Sequence, residues 1–430
     1  MDPLTYLFSL EKLGIKFGLE NVRTICAGLG DPQNSWPSVI IAGTNGKGSV
    51  AAMVEAGLRA AGLRTGLYTS PHLVRIEERF AIDGTPVATA ELIEAAATVQ
   101  QAVARLREQR RLETEPTFFE VTTAIGFELF RRARVGFVVL EVGLGGRFDA
   151  TNVATPVAAA ITTIDFDHER FLGHTIAAIA GEKAGVIKRG MRVVVGETKP
   201  DAVSVIERAC REQGALMIHA AGGSRVDILD FEGGAALVDL TTPARHYGPA
   251  RLALHGRHQV QNAVVAARLL EEVDALGTPI PAEAIVAALA STRWPGRLDL
   301  LADEQGRMVL CDSAHNPAGA RVLADYLREV HPGGLPIVFG IMKDKDVSGT
   351  LKPLLPWASH LVVTRAHTDR ALTPDSLAEA ARRAGWRGTV EIEEKPALAL
   401  EAAWRHAPAI CAAGSIFLVG EVLARLRHDT

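Results

Sequence analysis

The run Gly43-Thr44-Asn45-Gly46-Lys47-Gly48-Ser49 is the stretch of this chain best suited to chemistry. It follows the β-branched apolar residues 38–42 and precedes the Ala-rich residues 50–62, so it reads as a turn between a buried strand and a helix. Such a turn presents backbone N–H groups and a helix N-terminus to an anion, and Lys47 adds a full positive charge. A tight βα turn would explain the glycines but has no use for the lysine, so the stretch is read as nucleotide-binding. Its spacing departs from the general phosphate-loop pattern. The first glycine stands close to Gly46-Lys47, and Gly48 separates the lysine from the hydroxyl of Ser49.

Other chemical residues fall where strands should end. Ser70 and His72 follow a short strand, where a parallel sheet gathers its ligands, although an ordinary polar loop explains them equally well. Glu141 closes the apolar run 135–141. A carboxylate there is either a Mg²⁺ ligand beside the phosphate loop or a helix cap. The loop 143–152 holds three glycines for close backbone approach, with Arg147 and Asp149 as a bidentate donor and an acceptor. Lys183 lies among small and apolar neighbours, and by itself reads as a lysine snorkelling to solvent or paired with an acid. Later in the chain, 311–317 (with Asp312 and His315) and 340–346 are either chemical loops or helix-capping turns.

The elements that must position these residues alternate between strand and helix. A prelude of one or two helices covers 1–38, an amphipathic helix is expected at 90–111 and a more apolar one at 117–134, with a buried strand at 157–164 and a further strand at 191–196. Residues 222–254 read as β-like pieces that decorate the domain rather than build its core, and a helix follows over 264–276. Pro295-Gly296 breaks the pattern, which places the linker at 291–297 and divides the chain into 1–293 and 294–430. Beyond it a second α/β rhythm has strands at 308–311, 336–339, 361–364, 390–393 and 416–419. The fold class is α/β, a mostly parallel sheet with a phosphate loop followed by a smaller α/β domain.

Bulk properties bound the protein's class. A chain of 430 residues is more than one core usually serves. The net charge of −4, with both signs interspersed, leaves no nucleic-acid footprint. Four scattered cysteines without a CxxC pair point to buried thiols in a reducing compartment. Neither a secretory signal pattern nor an apolar run of ~20 residues is present, so a soluble cytoplasmic protein without a membrane partner is expected.

Taken together, these stretches resemble the folylpolyglutamate synthase and dihydrofolate synthase family within the Mur ligase superfamily. The motifs that carry the resemblance run nearly end to end: Gly14-Ile15-Lys16-Phe17-Gly18-Leu19, residues 42–49, 69–73 and 141–152, Asp167-His168 with Leu172-Gly173, and 182–188. They continue through His258-Gln259 with Asn262-Ala263, residues 294–297, 312–317, 340–346 and 414–421. The phosphate-loop form Gly-Thr-Asn-Gly-Lys-Gly-Ser is that family's own. Only 42 residues precede Gly43, which argues against the UDP-binding domain of peptidoglycan-precursor ligases. The Asn-Lys-x-Asp element of a guanine-specific switch is absent.

The resemblance implies a Rossmann-like second domain and a ligation. ATP phosphorylates a substrate carboxylate, and the amine of L-glutamate attacks the acyl phosphate. The acid is 7,8-dihydropteroate, a folate γ-carboxylate, or both. It further implies that Gly43, Thr44, Asn45, Gly46, Lys47, Gly48 and Ser49 hold the ATP phosphates, with Asn262, Arg297 and Asp312 on the nucleotide. Ser70 and Glu141 match ligands of one Mg²⁺ and His168 a ligand of a second. Lys183 matches a lysine carbamylated by CO₂, which reverses its reading as a surface-seeking lysine. His315 lines the nucleotide or glutamate site, while Thr117, Phe119, Gly146, Arg147 and Asp149 match the pterin region. A monovalent cation and a monomeric state complete these expectations.

Overall fold

The computed structural model describes residues 2–14 and 16–428, so Ile15 of the first family motif lies outside the described residues. The apolar run Ser38–Ala42 (β1) forms the centre of an eight-stranded sheet. Its side chains alternate between two cores: Ile40 and Ala42 pack on one face, Val39 and Ile41 on the other. Burial on both faces is why this strand is continuously apolar rather than alternating.

The sheet adds β2 (Thr65–Tyr68), β3 (Phe80–Ile82), β4 (Thr85–Pro86), β5 (Phe137–Glu141), β6 (Ala158–Ile161), β7 (Arg192–Val195) and β8 (Leu216–His219), in the order β4-β3-β2-β5-β1-β6-β7-β8. All neighbours are parallel except β2-β3-β4, which fold back as an antiparallel edge. Consequently Ala42, Tyr68, Glu141 and Ile161 all end at one edge, and the loops after them share one cleft.

Three further strands, β9 (Arg225–Glu232), β10 (Ala235–Thr241) and β11 (His246–Arg251), form an antiparallel sheet. The expectation that this region only decorates the domain is corrected. Val238, Leu240 and Tyr247 are buried in the same core as Val39, Ile41 and the helix Lys47–Ala60. The burial of β10 alternates along its length, so one face is core and the other is not.

After residue 298 a six-stranded sheet assembles from β12 (Asp299–Ala302), β13 (Met308–Asp312), β14 (Leu335–Phe339), β15 (Ala358–Val363), β16 (Val390–Ile392) and β17 (Ala409–Ala413). Its order is β12-β13-β17-β14-β15-β16, parallel except for β12. The last expected strand is a second correction. Residues 416–419 open the helix Ile416–His428, and the strand is Ala409–Ala413. Both runs are apolar and short, which periodicity cannot separate. Gly414, at φ 106°, makes the turn, and Ser415 Oγ accepts from Phe417 N at 3.1 Å to start the helix. No helix among the described residues is long and apolar enough to cross a membrane.

Candidate active site

The phosphate loop is fastened to the strand beside it. Thr44 N donates to Thr163 O at 2.6 Å, Thr162 Oγ1 donates to Asn45 O at 2.7 Å, and Thr44 Oγ1 bridges the backbone of Asp165. Gly43 lies at φ 151° with Thr162 Oγ1 occupying the place of a Cβ, and Gly46 at φ 86° begins the helix Lys47–Ala60. The N-terminus of that helix, with its free backbone N–H groups, has the charge and donors that suit an anion. Lys47 Nζ donates to Thr44 O at 3.1 Å, curling its charge over the loop. Desolvation pulls its pKa down, and Glu141 opposes that shift. Ser49 Oγ is buried and accepts from Gln259 Nε2 at 3.2 Å. Gln259 in turn accepts from Asn262, whose Oδ1 lies against Gly46. Trp294 packs its indole against Gly48.

Glu141, at the end of β5, is buried, and its Oε2 accepts from Ser70 N at 3.3 Å. Burial raises its carboxyl pKa, with Lys47 as the main counterweight. Ser70 Oγ and the Phe119 ring both lie against Gly143, where a side chain would collide with them. A carboxylate, a hydroxyl and a phosphate-binding loop converging here suit Mg²⁺, which binds few protein oxygens and keeps phosphate and water. Among the described residues no three His, Cys, Asp or Glu side chains form a metal cage.

Lys183 is 4% exposed and donates to Gly43 O at 2.7 Å. It therefore lies directly beneath the phosphate loop rather than reaching for solvent. Desolvation, helped by the Lys47 charge, brings its pKa down to about 7. A lysine near that value carries a substantial neutral-amine fraction, the form that reacts with CO₂. Its surroundings thus fit a carbamate.

The loop after β5 is closed on itself. Asp149 accepts from Gly143 N and Leu144 N, both at 2.9 Å, and from Thr151 N and Oγ1 at 3.0 and 2.5 Å. Four donors occupy the accepting positions of one carboxylate, so Asp149 shapes the loop and has no face left for a ligand. Arg147 N bonds Glu182 O at 2.8 Å, and Gly146 packs against the carbonyls of Glu182 and Lys183. Thr117 is likewise committed. It caps the helix Phe118–Ala133 in a reciprocal box with Glu120. Phe119 is half-buried, with its ring 6.2 Å from that of Tyr68 and against Gly143.

The second sheet meets this cleft through the loops after β13 and β14. Asp312 accepts from Leu298 N and Ala314 N, each at 2.9 Å, and so fixes the Arg297 segment. Its carboxyl pKa is raised by burial and held back by Arg297. His315 Nδ1 donates to Ser313 O at 2.8 Å and its Nε2 lies 3.3 Å from Asp167. Asn316 pairs its amide with that of Asn45 at 3.1 and 3.3 Å and donates to Asp167 at 3.0 Å. Lys345 Nζ stands 2.6 Å from Asp167 Oδ1 and 3.4 Å from His168 Nε2. Burial works to raise the Asp167 pKa, but His315, His168 and Lys345 together hold it well below the usual carboxylate range. His168 is pushed down to about 4, chiefly by desolvation and despite Asp167, so its ring is neutral at physiological pH.

The structure thus brings Lys47, Ser70, Glu141, His168, Lys183, Asn262, Arg297, Asp312 and His315 around one phosphate loop. Three residues that the sequence motifs include were given no role: Asp167, Asn316 and Lys345. Asp167 belongs to a family motif, and Asn316 and Lys345 to loops that the sequence leaves open between chemistry and helix capping, but nothing local says that the three converge.

Residues 41–270 match the Mur ligase middle domain and 296–419 the Mur ligase glutamate ligase domain. The chain is 33% identical to folylpolyglutamate synthase of Lacticaseibacillus casei, over 98% of this chain and 97% of that one. It is 38% identical to dihydrofolate synthase/folylpolyglutamate synthase of Mycobacterium tuberculosis, over 82% and 75%. Among solved structures, M. tuberculosis folylpolyglutamate synthase complexed with ADP and AMPPCP superposes with a TM-score of 0.90 at 35% identity, covering 99% of both chains. Escherichia coli FolC in complex with DHPP and ADP gives 0.86 at 29% identity, covering 100% and 98%. The chain belongs to the folylpolyglutamate synthase and dihydrofolate synthase family of ATP-dependent Mur ligases.

Proposed function

We propose that this chain adds L-glutamate both to 7,8-dihydropteroate and to the γ-carboxylate of folates, through an acyl phosphate. The observation that carries the reading is the convergence of the phosphate loop, Glu141 with Ser70, and buried Lys183 on one cleft that the Asp312–His315 loop also lines. A carboxylate is a poor acyl donor, and phosphorylation supplies its leaving group. The substrate carboxylate oxygen attacks the γ-phosphorus and ADP departs. The glutamate nitrogen then attacks the acyl carbon, losing a proton as phosphate leaves.

In this reading residues 43–49 bind the phosphates through backbone N–H groups, and Lys47 steadies the charge that develops on the transferred group. Ser70 and Glu141 would hold one Mg²⁺, and His168 with a carbamate on Lys183 would hold a second. Ions held there would supply positive charge against the phosphate oxygens. The carbamate forms from the neutral Lys183 amine and CO₂ with release of one proton, converting a buried cation into an anion. Asn262, Arg297 and Asp312 position the nucleotide, and His315 lines its edge. Phe119 offers its ring to the pterin. Thr117 and Asp149 act by holding the shape of that wall, and Gly146 and Arg147 by carrying it past Lys183. The division at 293/294, a monomeric state, a cytoplasmic location and a monovalent cation belong to the same proposal.

The test is a paired ligation assay with ATP, Mg²⁺ and L-glutamate, using dihydropteroate in one arm and a reduced folate monoglutamate in the other. Product in both arms is expected. Product only from the folate narrows the enzyme to a folylpolyglutamate synthase, the name its L. casei relative carries. ATP turnover that ignores both acids would overturn the ligase reading.

A further inference from the structure

Lys345 occupies an unusual position for a lysine. Its side chain is 9% exposed, and its ammonium sits between the Asp167 carboxylate, itself 8% exposed, and His168 Nε2. A carboxylate and a neutral imidazole nitrogen facing one point are donors that accept a cation, and here the cation is the protein's own. Because an ammonium only donates, Nε2 must accept, which leaves the ring proton on Nδ1. That is the tautomer a metal bound at Nε2 requires.

We propose that Lys345 is the resident cation of the second divalent-metal site, and that the metal enters by displacing it. The inference rests on the reading of His168 as a metal ligand. A metal ligated there would need the Nε2 lone pair, the one acceptor that faces the ammonium 3.4 Å away, so the two cations compete for one nitrogen and repel each other. The long lysine stem allows the head to leave without moving its loop. That loop is pinned by its backbone: Lys345 N bonds Met342 O at 3.2 Å, and Lys343 N bonds Arg370 O at 2.9 Å.

The exchange has a consequence for the cleft. Lys345 comes from the loop after β14, whereas Asp167 and His168 follow β6, so the ammonium is a tie between the two sheets. Metal entry releases this tie and leaves those of His315 and Asn316 to Asp167 in place. Metal occupancy would thereby loosen one contact of the second sheet without undocking it.

The test is Mn²⁺ binding to the nucleotide-free full-length enzyme, with free Mn²⁺ read by electron paramagnetic resonance. Lys345→Met, with Lys345→Gln as a second variant, is expected to tighten one Mn²⁺ by about tenfold, the lower end of what a like charge within 4–6 Å does to an ionic equilibrium. Unchanged or weaker binding in both variants overturns the exchange. His168→Ala separates the two failures. If it removes one Mn²⁺ while Lys345→Met changes nothing, the exchange alone is wrong. If His168→Ala leaves Mn²⁺ binding intact, the assignment of the site falls and the exchange with it.

Discussion

Lys183 shows how one side chain couples burial to chemistry. Its pKa of about 7, against an ordinary 10.5, means the unfolded chain binds more protons there than the folded one between those values. Stability from this group therefore rises with pH across that window, and the full cost of the buried ammonium is felt below about pH 7. Lys183→Met, which keeps the stem and removes the charge, should raise the melting temperature of the CO₂-free protein at about pH 6 and lose that advantage toward pH 10. Equal shifts at both ends would mean that Lys183 keeps an ordinary pKa. The same variant should abolish ligation, with isotopically labelled CO₂ reporting the carbamate in wild type only.

Among the elements, the helix Phe118–Ala133 illustrates how a motif residue can serve by capping. The Thr117 hydroxyl accepts from Glu120 N at 3.2 Å and donates to Glu120 Oε2 at 3.0 Å, while Glu120 Oε2 accepts from Thr117 N at 2.8 Å. Thr117→Ala should cost about 1 kcal/mol of stability, readable by urea unfolding. If its effect on the pterin substrate runs through the frayed cap, Thr117→Ser, which retains the hydroxyl, should restore both stability and KM. A KM defect that persists in the serine variant would instead point to contact by the threonine methyl group. The loop 143–151 follows the same logic, since Asp149 works inward on four donors.

At the scale of the molecule, Asn316 is the most compact joint between the two sheets. One amide reaches Asn45 in the phosphate loop and Asp167 after β6, while its Oδ1 also caps its own helix at Gly319 N, 2.8 Å away. Asn316→Ala removes all of these at once. We expect faster proteolysis at residues 291–297 and weaker ADP binding, because the loop that Asn45 belongs to loses its outer support. Proteolysis and ADP affinity equal to wild type would show that the sheets are held elsewhere, for instance by Tyr326 against Gly234 or Arg257 against Glu329.

By itself the sequence determined the strand, glycine turn and helix over 38–60, the alternation of strand and helix, and the end of the helical pattern before Pro295-Gly296, because these depend on neighbours within a few residues. Its family motifs also named Lys183, whose local context argues only for a surface lysine. Tertiary structure alone decided that 409–413 is strand and 416–428 helix, since two short apolar runs differ only in what they pack against. It decided that β10 buries one face against the helix of the phosphate loop, and that Asp149 and Thr117 turn inward. Above all it brought Asp167, Asn316 and Lys345 together, 149 and 178 residues apart along the chain. An ion pair across that separation leaves no local trace in sequence, because only the packing of two sheets sets its distance.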